Sequence, residues 1–89
     1  MSNTSNRVAV ITGAAGGVGQ STVKKFADQG YTVIGTDIRL PDGLFEHDCV
    51  SYRTCDVTSE TDWQALAQAT ISEHGKLDVL VNNAAILMT

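Results

Sequence analysis

The sequence predicts an α/β fold with a parallel, doubly wound sheet, and three observations support this prediction. Short apolar runs alternate with longer segments whose apolar residues recur at helical spacing. A cluster of glycines lies between the first apolar run and the first helical segment, and an aspartate ends the second apolar run. This alternation is typical of a parallel sheet, because each parallel connection needs a crossover, usually a helix.

The first strand is predicted over residues 7–11, where the run after Arg7 is apolar throughout rather than alternating. A strand that is covered on both faces has this pattern. Four glycines follow it, at positions 13, 16, 17 and 19. We expect Gly13 to form the turn and Gly16 or Gly17 to let the backbone approach a phosphate. We expect Gly19 to let the helix lie close to the strand.

This order of strand, glycine turn and helix start presents backbone N–H groups and the positive end of a helix to a phosphate. An ordinary glycine-rich turn is the alternative, but the position between strand and helix favours a dinucleotide site. A nucleoside-triphosphate loop is disfavoured, because no Gly-Lys-Ser/Thr sequence closes the segment.

An aspartate completes the predicted site. The second apolar run covers residues 31–37, and dinucleotide folds place a ribose-binding carboxylate at such a strand end, about 20 residues after the glycines. Asp37 would accept hydrogen bonds from both ribose hydroxyls and would repel a 2′-phosphate, so NAD is predicted rather than NADP. Two alternatives stay open: Arg39 is close enough in sequence to neutralise a phosphate, and Asp37 could begin a turn.

The second half of the chain repeats the order of strand, helix and strand. A third strand is predicted over residues 50–55, with Asp56 and Val57 at its carboxyl end. A fourth strand over residues 77–81 leads into Asn82-Asn83-Ala84-Ala85. In a doubly wound sheet these four strands have the order 3-2-1-4. Right-handed crossovers then place the two helices on opposite faces of the sheet.

The second helix lies between these strands, and Thr58 or Ser59 is predicted as its N-cap. The apolar spacing predicts that Trp63 and Ile71 belong to the core. His74 is interpreted as a residue at the end of the helix, where it meets the negative end of the dipole, rather than as a catalytic base.

The residues that carry a family resemblance are, in order, Thr12-Gly13-x-x-x-Gly17-x-Gly19, Asp37, Cys55-Asp56-Val57 and Asn82-Asn83-Ala84. In this order and spacing they resemble the amino-terminal part of a short-chain dehydrogenase/reductase. The resemblance implies a Rossmann-type sheet of which only the first four strands are present. Residues 1–6 would be a disordered lead, and residues 7–89 a partial NAD-binding domain.

The resemblance also implies where the parts of NAD lie. The glycine loop would surround the pyrophosphate, Asp37 would bind the adenosine ribose, and the Asp-Val pair would border the adenine. The Asn-Asn-Ala segment would pass beside the nicotinamide ribose. The cofactor-binding residues predicted in this way are Gly13, Ala15, Gly16, Gly17, Val18, Gly19, Asp37, Ile38, Asp56, Val57, Asn83, Ala84 and Ala85.

Two features depart from the family pattern. Ala85 stands where glycine is usual, which adds a small methyl group at the point where the backbone would approach the cofactor. The glycines also satisfy Thr-Gly-x-x-Gly-x-x-Gly through Gly13, Gly16 and Gly19, which is the pattern of the extended, sugar-nucleotide-modifying branch. The pair Asn82-Asn83 favours the ordinary branch.

The resemblance implies an oxidoreductase that acts on an alcohol/carbonyl pair through an Asn, a Ser and a Tyr-x-x-x-Lys pair. No Tyr-x-x-x-Lys occurs here, so no catalytic residue is assigned and this chain alone is predicted to be inactive. A small-molecule substrate is expected only if the chain continues. The alternative is a non-catalytic half-Rossmann protein that binds a dinucleotide or associates with itself.

Composition limits the remaining partners. A hydrophobic content of 43% is ordinary for globular chains, and a net charge of −4 disfavours nucleic acid and anionic membranes. No apolar run approaches the ~20 residues of a membrane span. The lead lacks the apolar core of a signal peptide, so a cytoplasmic location is predicted. The apolar fourth strand would be a bare edge, which predicts a homo-oligomer or a missing carboxyl-terminal half.

Two cysteines, Cys49 and Cys55, lie close together in the sequence, with His47 nearby. They could form a disulfide or a metal pair. Free thiols are the favoured interpretation for a cytosolic enzyme fold, and no metal is predicted.

Overall fold

The structure is a computed structural model that describes residues 7–83, and the statements below refer to these residues. Its elements in chain order are β1 (Val8–Thr12), α1 (Gly17–Asp28), β2 (Thr32–Asp37), β3 (Val50–Thr54), α2 (Glu60–His74) and β4 (Val79–Asn82). The predicted lead at residues 1–6 and the predicted site residues Ala84 and Ala85 lie outside the described residues.

The four strands form one parallel sheet in the order β3-β2-β1-β4, which confirms the predicted order. In the register, Val10 of β1 lies between Ile34 of β2 and Leu80 of β4. All five residues of β1 are buried, because this strand has a neighbour on each side and a covered face above and below. The continuous apolar run of residues 8–11 is therefore explained by the central position of β1.

The two helices lie on opposite faces of the sheet, as the right-handed crossovers predict. Val23 of α1 packs with Ile11 of β1 and Val33 of β2 in one cluster, which we call the α1-side cluster. Leu66 of α2 packs with Val10 of β1 in a second cluster, which we call the α2-side cluster. Successive side chains of a strand point to opposite faces, so neighbouring residues of β1 contribute to different clusters.

Both ends of α2 are capped, and the amino-terminal cap is one of the two residues predicted for it. The Ser59 hydroxyl oxygen accepts a hydrogen bond from the backbone N–H of Asp62 at 3.2 Å, which makes Ser59 the N-cap. The helix ends at Gly75, whose φ of +81° lies in the left-handed region that favours glycine. Two acidic residues in the first turn complement the helix dipole.

The predicted buried face of α2 is only partly correct. Trp63 packs against the α2-side cluster as predicted. The prediction that Ile71 belongs to the core is wrong, because its side chain is 51% exposed. Leu66 and Thr70 are the buried residues of this helix, and Ile71 lies about 100° around the helix axis from Thr70.

The connection from β2 to β3 contains no helix, although a parallel crossover usually has one. Residues 38–49 instead form an irregular segment that packs Phe45 and Cys49 against the α1-side cluster. This segment, which we call the β2–β3 segment, covers the sheet beside α1.

Asp78 fixes the start of β4 against β1. Its Oδ2 accepts a hydrogen bond from the backbone N–H of Val8 at 2.8 Å, and its own N–H donates to the Val8 carbonyl at 2.9 Å. The Val8 bond is the main reason that the pKa of Asp78 is lowered, and Lys76, with Nζ 3.5 Å from Oδ2, adds to this effect.

Both cysteines are free thiols: Cys55 is buried and Cys49 is half-buried. Within residues 7–83 no three His, Cys, Asp or Glu side chains are grouped so that they could hold a metal ion. Neither helix of this part of the chain is long and apolar enough to cross a membrane.

Candidate functional site

The predicted site residues that lie within residues 7–83 converge at the carboxyl edge of the sheet. The glycine turn follows β1, Asp37 ends β2, and Asp56 and Asn83 follow β3 and β4. The chain leaves β1 toward β2 on one side, while β4 lies on the other side of β1. A crevice outside the carboxyl ends of the strands, at such a change of direction, is where open α/β sheets bind ligands.

The glycine turn brings α1 against the end of β1. Gly13 has a φ of +64°, a conformation that glycine adopts without strain. A Cβ at Gly19 would lie 2.7 Å from both the Ala14 Cα and the Gly13 carbonyl carbon. The sequence predicted a close approach of Gly19 to the strand, and the structure shows this approach to the turn directly after it.

Gly16 and Gly17 are exposed, and a side chain at either position would point into open space. The nearest atom to a Cβ at Gly16 would be 3.8 Å away, and nothing lies within 4 Å of one at Gly17. Gly16 is the N-cap of α1, no side chain caps this helix end, and its first turn holds no acidic residue. The N–H groups of the first turn therefore have no side-chain cap, which is the arrangement that suits a phosphate at a helix amino terminus.

Asp37 is bonded to the glycine turn. Its Oδ2 accepts a hydrogen bond from the Ala15 N–H at 3.0 Å, and its Oδ1 accepts one from the Ile38 N–H at 2.8 Å. Each carboxylate oxygen has a further lone pair, so the group can still accept hydrogen bonds from two ribose hydroxyls. The sequence predicted the ribose role of Asp37 but not its contact with Ala15.

A cavity of about 320 Å³ joins residues from three strand ends. It is lined by Gly13, Asp37, Ile38, Cys55, Asp56 and Val57. All of these except Cys55 were predicted as cofactor-binding residues. Ile38 is 64% exposed, so an apolar side chain is available to a ligand there.

A larger cavity of about 500 Å³ lies elsewhere, along the β2–β3 segment and β3. Glu46 and Asp48 are part of its lining. None of the predicted cofactor-binding residues lines this cavity, so it is separate from the predicted dinucleotide site.

The turn after β3 is held in place by α2. Asp56 Oδ1 accepts hydrogen bonds from the Thr58 hydroxyl at 2.7 Å and the Thr58 N–H at 2.9 Å. These two bonds lower the pKa of Asp56, so its carboxylate is charged at neutral pH. The Trp63 indole N–H donates to the Val57 carbonyl at 2.7 Å, and Asp62 Oδ2 accepts from the Asp56 N–H at 2.9 Å.

At the end of β4, Asn82 and Asn83 have different environments. The buried Thr12 hydroxyl donates to Asn82 Oδ1 at 2.7 Å, which connects β1 with β4 by their side chains. The Asn83 Nδ2 is buried, and among the described residues it has no hydrogen-bond partner. An unpartnered donor at this edge fits a ligand with hydroxyl groups.

Several residues that shape the site were not among those predicted. Thr12 and Asn82 belonged to the family motif but were not among the predicted cofactor-binding residues. Ala14 is fully buried within the turn, and Gln20 donates a hydrogen bond to its carbonyl at 2.9 Å. Nothing in the sequence distinguishes Gln20 from other polar residues of a helix.

The sequence model of the short chain dehydrogenase family matches residues 7–89. The chain belongs to this family. The match confirms the resemblance that the motifs carry. Among curated relatives, (+)-borneol dehydrogenase 1 of Salvia officinalis is 40% identical over 87 residues, which cover 91% of this chain and 33% of the relative. Short-chain dehydrogenase reductase 3c of Arabidopsis thaliana is 37% identical over 86 residues, with coverages of 91% and 33%.

Solved structures of the family have the same fold. An aldohexose dehydrogenase of Thermoplasma acidophilum, in ligand-free form, superposes with a TM-score of 0.79 at 34% identity, covering 91% of this chain and 30% of that one. An actinorhodin polyketide ketoreductase with NADPH has a TM-score of 0.76 at 29% identity, with coverages of 93% and 34%. A 3-ketoacyl-(acyl-carrier-protein) reductase of Brucella melitensis with NADH has a TM-score of 0.70 at 32% identity, covering 83% of this chain and 32% of that one.

The chain spans about a third of the length of the relatives that it matches. The matched third is the dinucleotide-binding fold of the family. Of the two neighbours described above that were solved with a cofactor, one holds NADPH and the other NADH.

Proposed function

We propose that this chain is the NAD-binding portion of an oxidoreductase that interconverts an alcohol and a carbonyl compound. The observation that carries the proposal is the uncapped amino terminus of α1, open at Gly16 and Gly17, beside the Asp37 carboxylate. Family membership and the dehydrogenase and reductase names of the relatives support it. When bound, NAD supplies the chemistry of hydride transfer.

Each part of the predicted site has a role in this proposal. The turn from Gly13 to Gly19, including Ala15 and Val18, would hold the pyrophosphate, and Asp37 the adenosine ribose. Ile38, Asp56 and Val57 would border the adenine. Asn83, with its unpartnered amide nitrogen, would lie beside the nicotinamide ribose together with Ala84 and Ala85.

The preference for NAD over NADP rests on the Asp37 carboxylate. A 2′-phosphate placed there would face a negative charge, and the nearest turn N–H, that of Ala15, is already bonded to this carboxylate. The glycine turn carries no Lys or Arg that could offset the repulsion. Arg39 is exposed just beyond β2 and is the one cation of this strand end that a phosphate could recruit.

The remaining features of the proposal concern the whole protein. In this proposal residues 7–89 are a partial domain, and the catalytic Ser, Tyr and Lys that the family resemblance implies would lie in a continuation of the chain, together with the substrate pocket. We expect the edge of β4, where Leu80 is exposed, to be covered by that continuation or by a second copy. A cytoplasmic location agrees with the two free thiols.

Titration of the intact protein with NAD and with NADP tests the proposal. Trp63 is the only tryptophan of this chain, and its bond to the Val57 carbonyl ties its indole to the lining of the 320 Å³ cavity. We expect saturable changes in Trp63 fluorescence, and a rise in melting temperature with ligand concentration, at lower concentrations of NAD than of NADP. Absence of any response to millimolar concentrations of either dinucleotide would contradict the proposal.

A further inference from the structure

Gln20 lies where α1, the glycine turn and the β2–β3 segment meet. Its Nε2 donates hydrogen bonds to the Ala14 carbonyl at 2.9 Å and to the Tyr52 hydroxyl at 3.1 Å. Its Oε1 accepts a hydrogen bond from the Phe45 N–H at 2.7 Å. The Tyr52 hydroxyl in turn donates to the Phe45 carbonyl at 2.7 Å. One side-chain amide therefore connects three segments.

The chemistry of the partners fixes the orientation of this amide. A backbone N–H can only donate and a carbonyl can only accept, so the oxygen of Gln20 must face Phe45 and the nitrogen must face Ala14. The Tyr52 hydroxyl gives its proton to Phe45 and so accepts from Gln20. Both protons of the amide nitrogen are thus used. No other side chain of this size offers two donors and one acceptor in this arrangement.

The glycine turn is held from two sides, and the Gln20 amide provides the bond on one of them. On the β2 side, the Ala14 N–H donates to the Thr36 carbonyl at 2.9 Å, and the Ala15 N–H donates to Asp37. On the α1 side, Gln20 binds the Ala14 carbonyl. Ala14 is fully buried, and a Cβ at the neighbouring Gly35 would lie 3.0 Å from the Ala14 Cβ. The turn has little room to move while these bonds last.

We propose that Gln20 is a positioning residue for the dinucleotide, which holds the Ala14 carbonyl and with it the glycine turn in the binding conformation before the ligand arrives. This inference rests on the proposed function. A turn that is already ordered binds its ligand more tightly, because the entropy of ordering is not lost on binding. The pyrophosphate is common to NAD and NADP, so loss of Gln20 weakens both to the same extent.

Two variants separate this role from a general effect on folding. Gln20→Glu keeps the shape and the acceptor for Phe45 but cannot donate to Ala14. Tyr52→Phe removes the hydroxyl that binds Gln20 and Phe45, and it leaves the bond between Gln20 and Ala14 in place. Each change removes two hydrogen bonds of the same cluster, so both should lower the melting temperature.

Only the first variant should affect binding strongly. In the intact protein we expect Gln20→Glu to raise the Kd of NAD and of NADP about five- to tenfold each, with their ratio unchanged. Tyr52→Phe should change either Kd less than about twofold. Gln20→Met, which is uncharged, should reproduce the weaker binding and so exclude repulsion by the new carboxylate. Equal losses in Gln20→Glu and Tyr52→Phe, or no loss in Gln20→Glu, would overturn the inference.

Hydrogen exchange in the absence of ligand gives a second, independent readout. We expect the amides of residues 14–17 to exchange faster in Gln20→Glu than in the unchanged protein, and at the unchanged rate in Tyr52→Phe. If the unchanged protein binds no dinucleotide, the proposed function fails, while this measurement still decides whether Gln20 holds the turn. Unaltered amide exchange of residues 14–17 in Gln20→Glu would show that Gln20 does not hold the turn.

Discussion

The Asp37 carboxylate accepts a hydrogen bond from the backbone N–H of Ala15, with 3.0 Å between Oδ2 and N. This bond joins the end of β2 to the glycine turn after β1. The residue proposed to bind the ribose therefore also holds the segment proposed to bind the pyrophosphate. A charge-assisted hydrogen bond of this kind contributes more than a neutral one, so changes at position 37 should affect both parts of the site.

Two substitutions at Asp37 should separate its charge from its contact with the turn. Asp37→Asn keeps an acceptor for the Ala15 N–H and removes the negative charge, so we expect NADP to bind about tenfold more tightly than before. Asp37→Ala removes both the acceptor and the charge. We therefore expect NAD to bind about tenfold more weakly and the Kd values of NAD and NADP to become more similar. Isothermal titration of both cofactors checks this, and an unchanged Kd of NAD in Asp37→Ala would remove Asp37 from the ribose role.

The glycines of the turn offer a matched pair of substitutions. In Gly19→Ala the new methyl group would overlap the backbone of Gly13 and Ala14, which cannot rotate away. We expect a loss of stability of about 1–3 kcal/mol or more, measured by urea denaturation. In Gly17→Ala the methyl group meets no atom within 4 Å, so stability should be retained.

Gly17→Ala should nevertheless weaken binding, because its methyl group would occupy space that the proposed phosphate needs. The two substitutions thus have different effects. Gly19→Ala lowers the free energy of unfolding, whereas Gly17→Ala raises the Kd of NAD at unchanged stability. Tight NAD binding by Gly17→Ala would place the pyrophosphate elsewhere.

The signals that the sequence carried were local ones. The alternation of strands and helices predicted the doubly wound sheet and its strand order, and the glycine turn after β1 predicted the edge at which the site lies. Ile71 was misplaced because helical spacing gives a period and does not say which of two adjacent rows faces the sheet. The contacts of Gln20 with Phe45 and Tyr52 join residues far apart in the chain, and only the packing of the β2–β3 segment brings them together.

Acid should weaken the attachment of β4 to β1. The pKa of Asp78 is lowered in the folded protein, mainly by its bond to the Val8 N–H, so this carboxylate stabilises the fold above its unfolded pKa of about 3.9. The unfolded state binds more protons as the pH falls, and the contribution is lost as the pH passes down through the folded pKa. Asp78→Asn should therefore reduce the decline in melting temperature between about pH 5 and pH 2.

The control for Asp78 is Asp42→Asn, which changes a carboxylate on the exposed turn before Gly43. We expect its melting temperatures to follow the unchanged protein over the same range of pH. A slope that is the same in Asp78→Asn as in Asp42→Asn would show that the Val8 contact has no part in acid unfolding.

The two thiols should differ in accessibility but share a low reactivity at neutral pH. Burial raises the pKa of both Cys49 and Cys55, and only a thiolate attacks a disulfide reagent. Cys49 is half-buried and Cys55 is buried beneath α2, so one thiol per folded chain should react with an aromatic disulfide and the second only after unfolding. Because the pKa of Cys49 is raised, the rate at which it reacts with the reagent should still increase above about pH 8.5.

The variant Cys49→Ser is the control for this assignment. Its folded form should lose the fast phase of the reaction, which is the phase that we assign to Cys49. A fast phase that survives in this variant would mean that Cys55 is reached through transient opening between α2 and the sheet.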